Sequence, residues 1–433
     1  MLTAPQGIEY SRLFSPLDLA SRHVVIAAVS GGSDSTALLL LLKQYLDRFS
    51  PSTRLTAVTV DHALRPESAG EAAGVARLCK KLGVAHRTLR WTGDKPATGL
   101  AAAAREARHE LLAEAAAADN TDLVLTGHTA NDQAETVLMR QARGETGRDG
   151  RGIAGIAPAT LFDGKVWFAR PLLPTPREAL RDFLRQKQVG WTDDPSNANQ
   201  RYERPRIREK LREADGEEAI AAALDVAAEA GRERQRLGNA AAELIREHAD
   251  LPAPGLLRLR PDFLRTKDAD AAIYTLRILL AVTGGTPHLP DEARAEALYR
   301  RLAAKGSVRA VLSRTLADRR KTGIFLLREA RGLPDIDEVR DGIVWDGRYR
   351  IASPRPPLRD LLPAGETNPD DVPESLLRQA AAAQPVLPPE WTADPVLAPW
   401  ARYLPSFDIA PARAVAELVG APPTPAPPFL EHD

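Results

Sequence analysis

Short apolar runs rich in β-branched residues alternate with helical patterns through the first half of the chain. The runs cover residues 23–29, 55–60, 84–91, 122–126 and 166–173, and a helical stretch follows each of them. Parallel strands need long crossover connections, and helices are the usual ones. The alternation therefore predicts an α/β fold, with a parallel five-stranded sheet covered by helices on both faces.

The pattern changes after Asp215. Helical periodicity marks residues 217–248, 271–282 and 291–304, and short β patterns follow at 308–312, 324–328 and 342–351, the last with a turn at Asp346-Gly347. Five prolines within residues 422–428 predict an extended, mobile tail. We therefore predict three domains: the α/β domain at 1–214, a helical domain at 215–306, and a small β-containing C-terminal region at 307–433.

Charge and cysteine content narrow the class of protein. The chain has 58 Lys and Arg against 58 Asp and Glu, which argues against a wholly electrostatic nucleic-acid binder. Residues 1–214 nevertheless carry an excess of five positive charges, which favours an anionic partner for that half. Cys79 is the only cysteine, so an intrachain disulfide or a Cys-rich metal site is excluded, and a reducing cytoplasm suits the chain.

Nothing in the sequence predicts a membrane partner. No apolar run approaches the ~20 residues that a membrane-spanning helix needs. The N-terminal segment contains Glu9 and Asp18 and lacks the apolar stretch of a signal peptide. We expect a soluble, cytoplasmic protein.

The strongest chemical signal is a Ser/Gly-rich loop between the first strand and the first long helix, called here the phosphate loop. Its residues are Ser30, Gly31, Gly32, Ser33, Asp34 and Ser35. Glycines let a ligand approach the backbone, and a helix N-terminus offers free N–H groups and a positive dipole end. The loop lacks the Walker A and dinucleotide-binding patterns, so it predicts a phosphate cradle of another kind.

Further polar residues follow other strands of the predicted sheet. Asp61 follows the second strand and His128 the fourth, and strands of a parallel sheet end at a common edge where ligands bind. We therefore expect both residues to lie near the phosphate loop. Asp132 and Glu135 share one helix face, although they could also complement the helix N-terminus, with Asn131 as its cap.

Arg105 and Arg108 lie three residues apart and share a face of the predicted helix at 100–118. A solvated helix face with Glu106 and Glu110 nearby would explain them without any functional role. A position beside an anionic ligand is the alternative.

Taken in order, these segments resemble the tRNA(Ile)-lysidine synthetases, a family of the PP-loop ATP-pyrophosphatase superfamily. The resemblance is close over residues 23–210 and loose beyond. It rests on the phosphate loop and on five further segments: Asp61–Ser68, Ala104–Arg108, Thr126–Thr136, Arg170–Leu173 and Asp194–Asn197.

The resemblance implies an ATP-dependent ligase that joins free L-lysine to the wobble cytidine of the isoleucine tRNA with a CAU anticodon. It implies ATP and Mg²⁺ as cofactors. The residues that would bind ATP are Ser30, Gly31, Gly32, Ser33, Asp34, Ser35, Asp61 and His62. Those with a catalytic role would be Asp34, Asp132, His128, Arg105 and Arg108. Asp34 and Asp132 would hold the metal, and Asp132 and Glu135 the substrate lysine.

A basic stretch near residue 205 resembles the segment of the family that approaches the tRNA. Its arginines, called here the arginine cluster, are Arg201, Arg204, Arg206 and Arg208. Pro205 stands where the family usually has Asn, which removes a specific amide contact but leaves the electrostatic role. The oligomeric state is not determined by the sequence, and a homodimer is compatible with it.

Two other classes remain open at this point. A tRNA-thiolating enzyme with a similar loop would use reactive cysteines, whereas Cys79 lies outside every motif. A non-catalytic protein that binds tRNA or ATP would not need the acidic residues Asp34 and Asp132. Release of pyrophosphate separates an enzyme from such a protein.

Overall fold

The computed structural model describes residues 10–64, 67–93, 95–144, 151–193, 203–211, 216–336, 339–353 and 371–430. The chain divides into two compact units. The first contains residues 1–231 and 425–433, and the second contains residues 232–424. The three-domain division at 214/215 and 306/307 stays a prediction.

The first unit is built around the predicted α/β alternation. Its helices are α1 (Tyr10–Phe14), α2 (Ser33–Phe49), α3 (Ser68–Leu82), α4 (Leu100–Ala118), α5 (Ala130–Ala142), α6 (Arg177–Gln186), α7 (Glu203–Lys210) and the first part of α8 (Gly216–His248). Its strands are β1 (Val24–Ala28), β2 (Arg54–Asp61), β3 (Ala85–Arg90), β4 (Leu123–Leu125), β5 (Ala159–Phe162) and β6 (Val166–Ala169).

The described strands of this unit lie in the order β5-β6-β4-β1-β2-β3. All neighbours are parallel except β5 and β6, which are antiparallel. The path runs from β1 through β2 to β3 and then returns to β4 on the other side of β1. Right-handed crossovers therefore place α2 and α3 on one face and α4 on the other. The order reverses between β1 and β4, and such a switch point is where ligands bind.

The α/β class is confirmed, whereas the five-strand, all-parallel prediction is wrong. The first unit alone contributes six strands among the described residues, and the unpredicted one is β5. Asp163 and Gly164 connect β5 to β6 with φ of 49° and 68°. Positive φ at both positions is typical of a tight hairpin turn, and Asp-Gly is its common sequence.

The apolar residues of β1 and α2 form the centre of the hydrophobic core of the first unit. Val25, Ile26 and Ala27 are fully buried in the middle of the sheet, and α2 is buried from Ala37 to Leu42. α2 packs against α6 and the sheet, so it is covered on most sides. This burial fixes the start of α2, and with it the phosphate loop, against the sheet.

The second unit contains the predicted helices and β patterns together with further helices and strands that were not predicted: those at 249–253, 256–259, 315–320, 374–382, 392–395, 403–405 and 409–419. Its helices after α8 are α9 (Ala269–Gly284), α10 (Glu292–Ala303), α11 (Glu374–Ala382) and α12 (Ile409–Val419). Its strands are β7 (Ala249–Ala253), β8 (Leu256–Leu259), β9 (Val308–Leu312), β10 (Thr315–Arg320), β11 (Gly323–Arg328), β12 (Val344–Trp345), β13 (Tyr349–Ala352), β14 (Thr392–Pro395) and β15 (Tyr403–Pro405).

Two antiparallel sheets form within these residues, with orders β7-β8-β11-β10-β9 and β12-β13-β14. The unpredicted hairpin of β7 and β8 lies inside the region expected to be helical. Leu256, Phe325, Leu327 and Leu376 are buried together between the larger sheet and α11.

A buried ionic network lies at the turn between β12 and β13, called here the Asp346 cluster. The carboxylate of Asp346 accepts hydrogen bonds from Arg314, from Arg328 at 3.0 and 3.1 Å, and from Arg348 at 2.6 Å. Asp346 is fully buried, and Arg328 and Arg348 are nearly so. Arg328 also donates to main-chain carbonyls of Arg331 and Gly332. The predicted turn at Asp346-Gly347 is present, with φ of 51° and 71°.

The Pro-rich tail ends in an ordered contact within the first unit. Leu17 and Phe429 form an isolated antiparallel bridge, and the Leu430 N–H donates to the Pro16 carbonyl at 2.9 Å. The prediction of a mobile tail does not hold for this end of it.

Candidate active site

The phosphate loop is held in shape by its own hydroxyl groups. Ser35 Oγ accepts a hydrogen bond from the Ser30 N–H and donates to the Gly32 carbonyl, both at 3.1 Å. Gly32 is the N-cap of α2 and provides no side-chain cap. The first N–H groups of α2 therefore point at the loop without a side-chain acceptor, as a phosphate ligand requires.

Two glycines are needed where main chains meet. Gly31 has φ of +91°, a conformation that other residues rarely adopt. A Cβ on Gly127, in the loop after β4, would lie 2.9 Å from the carbonyl carbon of Asp34. The loops after β1 and β4 are thus in direct contact at the switch point of the sheet. Asp34 and His128 are brought to one place, as their strand positions predicted.

One arginine, Arg177, contacts three acidic residues of the site. Arg177, the first residue of α6, donates from Nε to Asp34 at 2.8 Å and from Nη2 to Asp132 at 3.1 Å. Its Nη1 is 3.6 Å from Glu135 Oε1. We call these four residues the Arg177 cluster. The carboxylates raise the pKa of Arg177 despite its burial. Three carboxylates from two helices, α2 and α5, therefore converge on one cation.

Sequence reasoning missed Arg177. Its carboxylate partners lie 42 to 143 positions away in the chain, so no local pattern links them. One local signal was available. A cation in the first turn of a helix faces the positive end of the helix dipole, which is unfavourable without nearby anions.

Glu135 has a second partner from the arginine cluster. Arg208 donates from Nε and Nη2 to the two oxygens of Glu135, at 2.8 and 3.1 Å. The side chain of Glu135 is only 1% exposed. Four residues earlier on α7, Arg204 donates to Thr136 Oγ1 at 3.2 Å. Two of the arginines predicted to approach tRNA therefore contact α5 in this structure. Arg208 is half-buried there, whereas Arg204 and Arg206 are exposed.

Asp132 also caps its own helix. Its Oδ2 accepts from the N–H and the hydroxyl of Thr129 at 2.9 and 2.8 Å, which completes a capping box. Burial would raise the pKa of Asp132, but Arg177, His128 and the Thr129 hydrogen bonds lower it overall. The N-cap is Thr129, so the expectation for Asn131 is wrong. Asn131 instead accepts from the main-chain N–H of Arg177 at 2.8 Å.

The other side of the site is positively charged. Burial and the field of Arg170, Arg105 and Arg108 lower the pKa of His128 to about 3, although Asp132 opposes the shift. Burial lowers the pKa of Arg170 to about 9, and Arg105 adds to that shift. Arg105 and Arg108 are exposed on α4. His128 is therefore neutral at physiological pH and lies between a carboxylate and several guanidinium groups.

Asp61 is the last residue of β2 and His62 follows it, at the same edge of the sheet. Burial would raise the pKa of Asp61, but hydrogen bonds from Ser68 and the Ala63 N–H, together with Arg90, lower it. The His62 ring meets Trp91 edge-on at 6.0 Å, and Lys95 lies 5.4 Å from the centre of the Trp91 ring. Burial and Arg108 lower the pKa of His62. The two residues thus combine a carboxylate with an apolar, aromatic surface.

Some predicted residues lie outside the described part of the chain. They are Arg65 and Pro66, the segment 194–197, Arg201, and the side chain of Pro205. The segment just before 194 reaches the phosphate loop, because the Thr192 N–H donates to the Gly31 carbonyl at 2.9 Å.

The acidic residues fit Mg²⁺ in ligand type. Asp34 and Asp132 offer only oxygen donors and already bind one cation between them, the Arg177 guanidinium. Mg²⁺ typically takes one or two carboxylates and completes its shell with water and phosphate. Within the described ranges, no set of three or more His, Cys, Asp or Glu side chains is grouped around a metal position.

The fold and the loop geometry define a class of protein, and the family comparison agrees with it. Residues 5–214 match the model of the PP-loop domain family. ATP use is therefore a property of the class. Among the described residues, no helix is both long and apolar enough to cross a membrane.

Comparison with curated proteins identifies the family. The chain is 52% identical to a tRNA(Ile)-lysidine synthase of Mesorhizobium japonicum, over 98% of this chain and 97% of that protein. It is 43% identical to a tRNA(Ile)-lysidine synthase of Brucella melitensis, over 79% and 77% of the two chains. The chain belongs to the tRNA(Ile)-lysidine synthase family, and the predicted ATP-dependent ligase is confirmed at the level of that family.

Among solved structures, the chain resembles a U34-tRNA thiolase of Methanococcus maripaludis. The TM-score is 0.43 at 16% identity, over 53% of this chain and 77% of the thiolase.

Proposed function

We propose that this protein joins L-lysine to C2 of the wobble cytidine of the isoleucine tRNA with a CAU anticodon. In the first step, the C2 oxygen of cytosine attacks the α-phosphate of ATP, and pyrophosphate leaves. In the second step, the ε-amine of lysine attacks C2, the bond from C2 to the adenylated oxygen breaks, and AMP leaves. The product, lysidine, pairs with A and changes decoding from methionine to isoleucine.

The observation that carries the proposal is the Arg177 cluster beside the phosphate loop. Asp34 belongs to both, so a site for cations adjoins a site for phosphates. The proposed reaction requires the two sites to be adjacent, because the triphosphate of ATP and the amine of lysine must both reach the same cytosine base. Family membership supports the same substrates, since both relatives are named for lysidine synthesis on tRNA(Ile).

In the first step, the phosphate loop and the start of α2 would bind the phosphates of ATP through main-chain N–H groups. Asp34 and Asp132 would hold Mg²⁺, which when bound supplies positive charge to the pyrophosphate. Arg105 and Arg108 are exposed on α4 and lie near enough to affect His128, so they would face the negative charge of the reacting phosphate. Asp61 and His62 would complete the ATP site.

In the second step, Asp132 and Glu135 would bind the substrate lysine. The amine must lose a proton to attack C2, and Asp34, Asp132 and His128 are the candidates to accept it. His128, neutral because its pKa is about 3, would act as an uncharged hydrogen-bonding group toward the base or the amine. Asp132→Ala is expected to accumulate adenylated tRNA and lose lysidine, as mass spectrometry of the anticodon fragment can show. Loss of both products would instead assign Asp132 to the ATP step.

The arginine cluster would contact the tRNA, and the wobble base would have to leave its stack to reach the site. A homodimer and a cytoplasmic location stay predictions. A thiolation reaction finds no support at Cys79, because burial raises the pKa of its thiol to about 11 and keeps it protonated.

The direct test incubates the protein with total tRNA, ATP and labelled L-lysine. We expect labelled lysine to be incorporated into one tRNA species. If incorporation requires ATP, it reflects the reaction and not simple binding of lysine. Asp34→Asn is the matched control, because it should fold normally and incorporate no label. Omission of lysine should leave adenylated tRNA. Absence of label from RNA with the folded wild-type protein would overturn the proposal.

A further inference from the structure

Both acidic residues proposed to bind lysine already have cationic partners. Glu135 is bound through both oxygens by Arg208, and Asp132 is bound by Arg177. The Glu135 side chain has almost no exposed surface. A lysine ammonium and a guanidinium cannot occupy the same carboxylate lone pairs, so substrate lysine must compete with an arginine of the protein.

The competing arginine lies on a short helix whose own side chains contact α5 mainly through polar groups, with Leu211, directly after the helix, packed against the apolar cluster of Ala134 and Val137. α7 has the sequence ERPRIREK, with Ile207 as its only large apolar residue. It packs against α5, where Arg208 and Arg204 bind Glu135 and Thr136, and Glu203 pairs with Arg143. Elements with few apolar contacts detach at low free-energy cost. α7 is therefore suited to leave α5 when its arginines find another partner.

RNA phosphate is such a partner. Arginine binds phosphate in a bidentate manner, as it binds carboxylate. α7 contains three of the four residues of the arginine cluster: Arg204 and Arg206 are exposed, whereas Arg208 is half-buried against Glu135. An RNA that approaches along Arg206 could then capture Arg208 and free Glu135.

We propose that Arg208 closes the lysine site of the free protein and that RNA binding at α7 opens it. This inference rests on the proposed function. It makes lysine affinity depend on RNA, and by thermodynamic linkage lysine must raise RNA affinity by the same factor. The arrangement would restrict lysine binding to the protein that already holds its RNA.

The test measures binding of labelled L-lysine by equilibrium dialysis without ATP, so that no reaction occurs. For the wild-type protein, a tRNA transcript with the CAU anticodon should raise lysine affinity about tenfold or more, which is within the usual range of such coupling. Arg208→Gln should bind lysine about as tightly without RNA as the wild type does with it. Arg87→Gln is the matched control, because it removes another arginine–carboxylate pair of the same unit, that with Asp119.

Two results would overturn the inference. One is a wild-type lysine affinity that RNA leaves unchanged, a measurement that needs no variant and so does not depend on the folding of Arg208→Gln. The other is equal lysine affinity of folded Arg208→Gln and wild type without RNA. Failure of the proposed function is distinguishable, since the wild type would then not transfer labelled lysine to tRNA when ATP is added.

Discussion

The two units each contain a cluster of ion pairs, and the clusters are inverted in charge. In the Arg177 cluster, one guanidinium faces three carboxylates, and Arg177, Asp34 and Asp132 are each 15–17% exposed. In the Asp346 cluster, one carboxylate faces three guanidinium groups, and Asp346 and Arg328 are 0% and 1% exposed. The second cluster also binds main-chain carbonyls, whereas the first includes Asp34, a residue of the phosphate loop.

The difference separates a structural network from a site. Arg328 is buried and uses further donors on the main chain, so the pairs that Asp346 makes with Arg328 and Arg348 are enclosed by protein. The Arg177 cluster has an excess of carboxylates, partial exposure of every member except Glu135, and a neighbouring loop for anions. A buried pair resists loss of a partner, whereas a partly exposed acidic group can exchange one cation for another. The experiments below test this distinction, in order of their expected effect on the free energy of unfolding.

Asp346→Ala is expected to cost the most, about 3–5 kcal/mol, because it leaves buried guanidinium groups without their counter-charge. Urea denaturation followed by circular dichroism measures the loss. Asp335→Ala, at an exposed position of the same unit, should change the free energy of unfolding by less than about 0.5 kcal/mol. Equal effects of the two substitutions would contradict a structural role for the Asp346 cluster.

Acid is expected to lower the free energy of unfolding through His109, whose pKa is affected by the arginines on the positive side of the active site. Burial lowers its pKa to about 4, helped by Arg105, Arg108 and Arg170, although its hydrogen bond to the Arg105 carbonyl raises it. The unfolded chain binds a proton below pH 6.5 and the folded chain does not, so stability falls as pH drops from about 6.5 to 4, by on the order of 3 kcal/mol. His109→Phe should flatten this part of the pH profile in urea titrations. An unchanged slope would refute the assignment.

Arg177→Gln should destabilise by roughly 1–3 kcal/mol, because three carboxylates lose a common partner that is only partly buried. Millimolar Mg²⁺ should restore part of the melting temperature, since a ligand that binds only the folded state stabilises it. The same Mg²⁺ should not restore Asp346→Ala. If Mg²⁺ raises the melting temperatures of both variants equally, the Arg177 cluster has no particular affinity for cations.

Asp34→Asn should change stability by less than about 1 kcal/mol and yet abolish pyrophosphate release. The amide can still accept a hydrogen bond from Arg177, so packing is retained, but the charge that would hold Mg²⁺ is lost. A pyrophosphate assay with tRNA and lysine present measures the effect. Normal pyrophosphate release would remove Asp34 from the proposed metal site.

Glu417→Ala should have the smallest effect, between about 0 and 1 kcal/mol. It breaks an exposed pair with Arg246, and exposed pairs contribute little in water. This value is the baseline with which the effects of substitutions in the Asp346 and Arg177 clusters are compared. A loss comparable to that of Asp346→Ala would mean that burial does not explain the difference between the clusters.

Local signals in the sequence were sufficient for much of the fold. The helix predicted at 100–118 matches α4 at both ends, because an Ala- and Leu-rich stretch begins after Gly99 and stops at a polar turn. The same Asp-Gly turn signal was recognised at 346–347 and overlooked at 163–164, which is why β5 was missed. Parallel strands end at a common edge of the sheet, and this rule predicted that Asp34, Asp61 and His128 lie at the same edge.

The partners of these residues could not be predicted in the same way. Arg177 and Arg208 meet the acidic residues across up to 143 positions of chain, so only the folded arrangement joins them. The inward direction of Arg208 is likewise set by the packing of α7 on α5. Sequence patterns located the acidic residues, whereas the arginines that pair with them could be identified only from the tertiary structure.

The bridge between Leu17 and Phe429 has a consequence for synthesis on the ribosome. The first unit consists of residues 1–231 together with 425–433, so its last β-bridge forms only after the whole second unit has been translated. At about 5–20 residues per second, Leu17 waits at least ~20 s for its partner. During this interval the Asp18 N–H and the Pro16 carbonyl lack the main-chain partners, at Pro428 and Leu430, that they have in the folded protein.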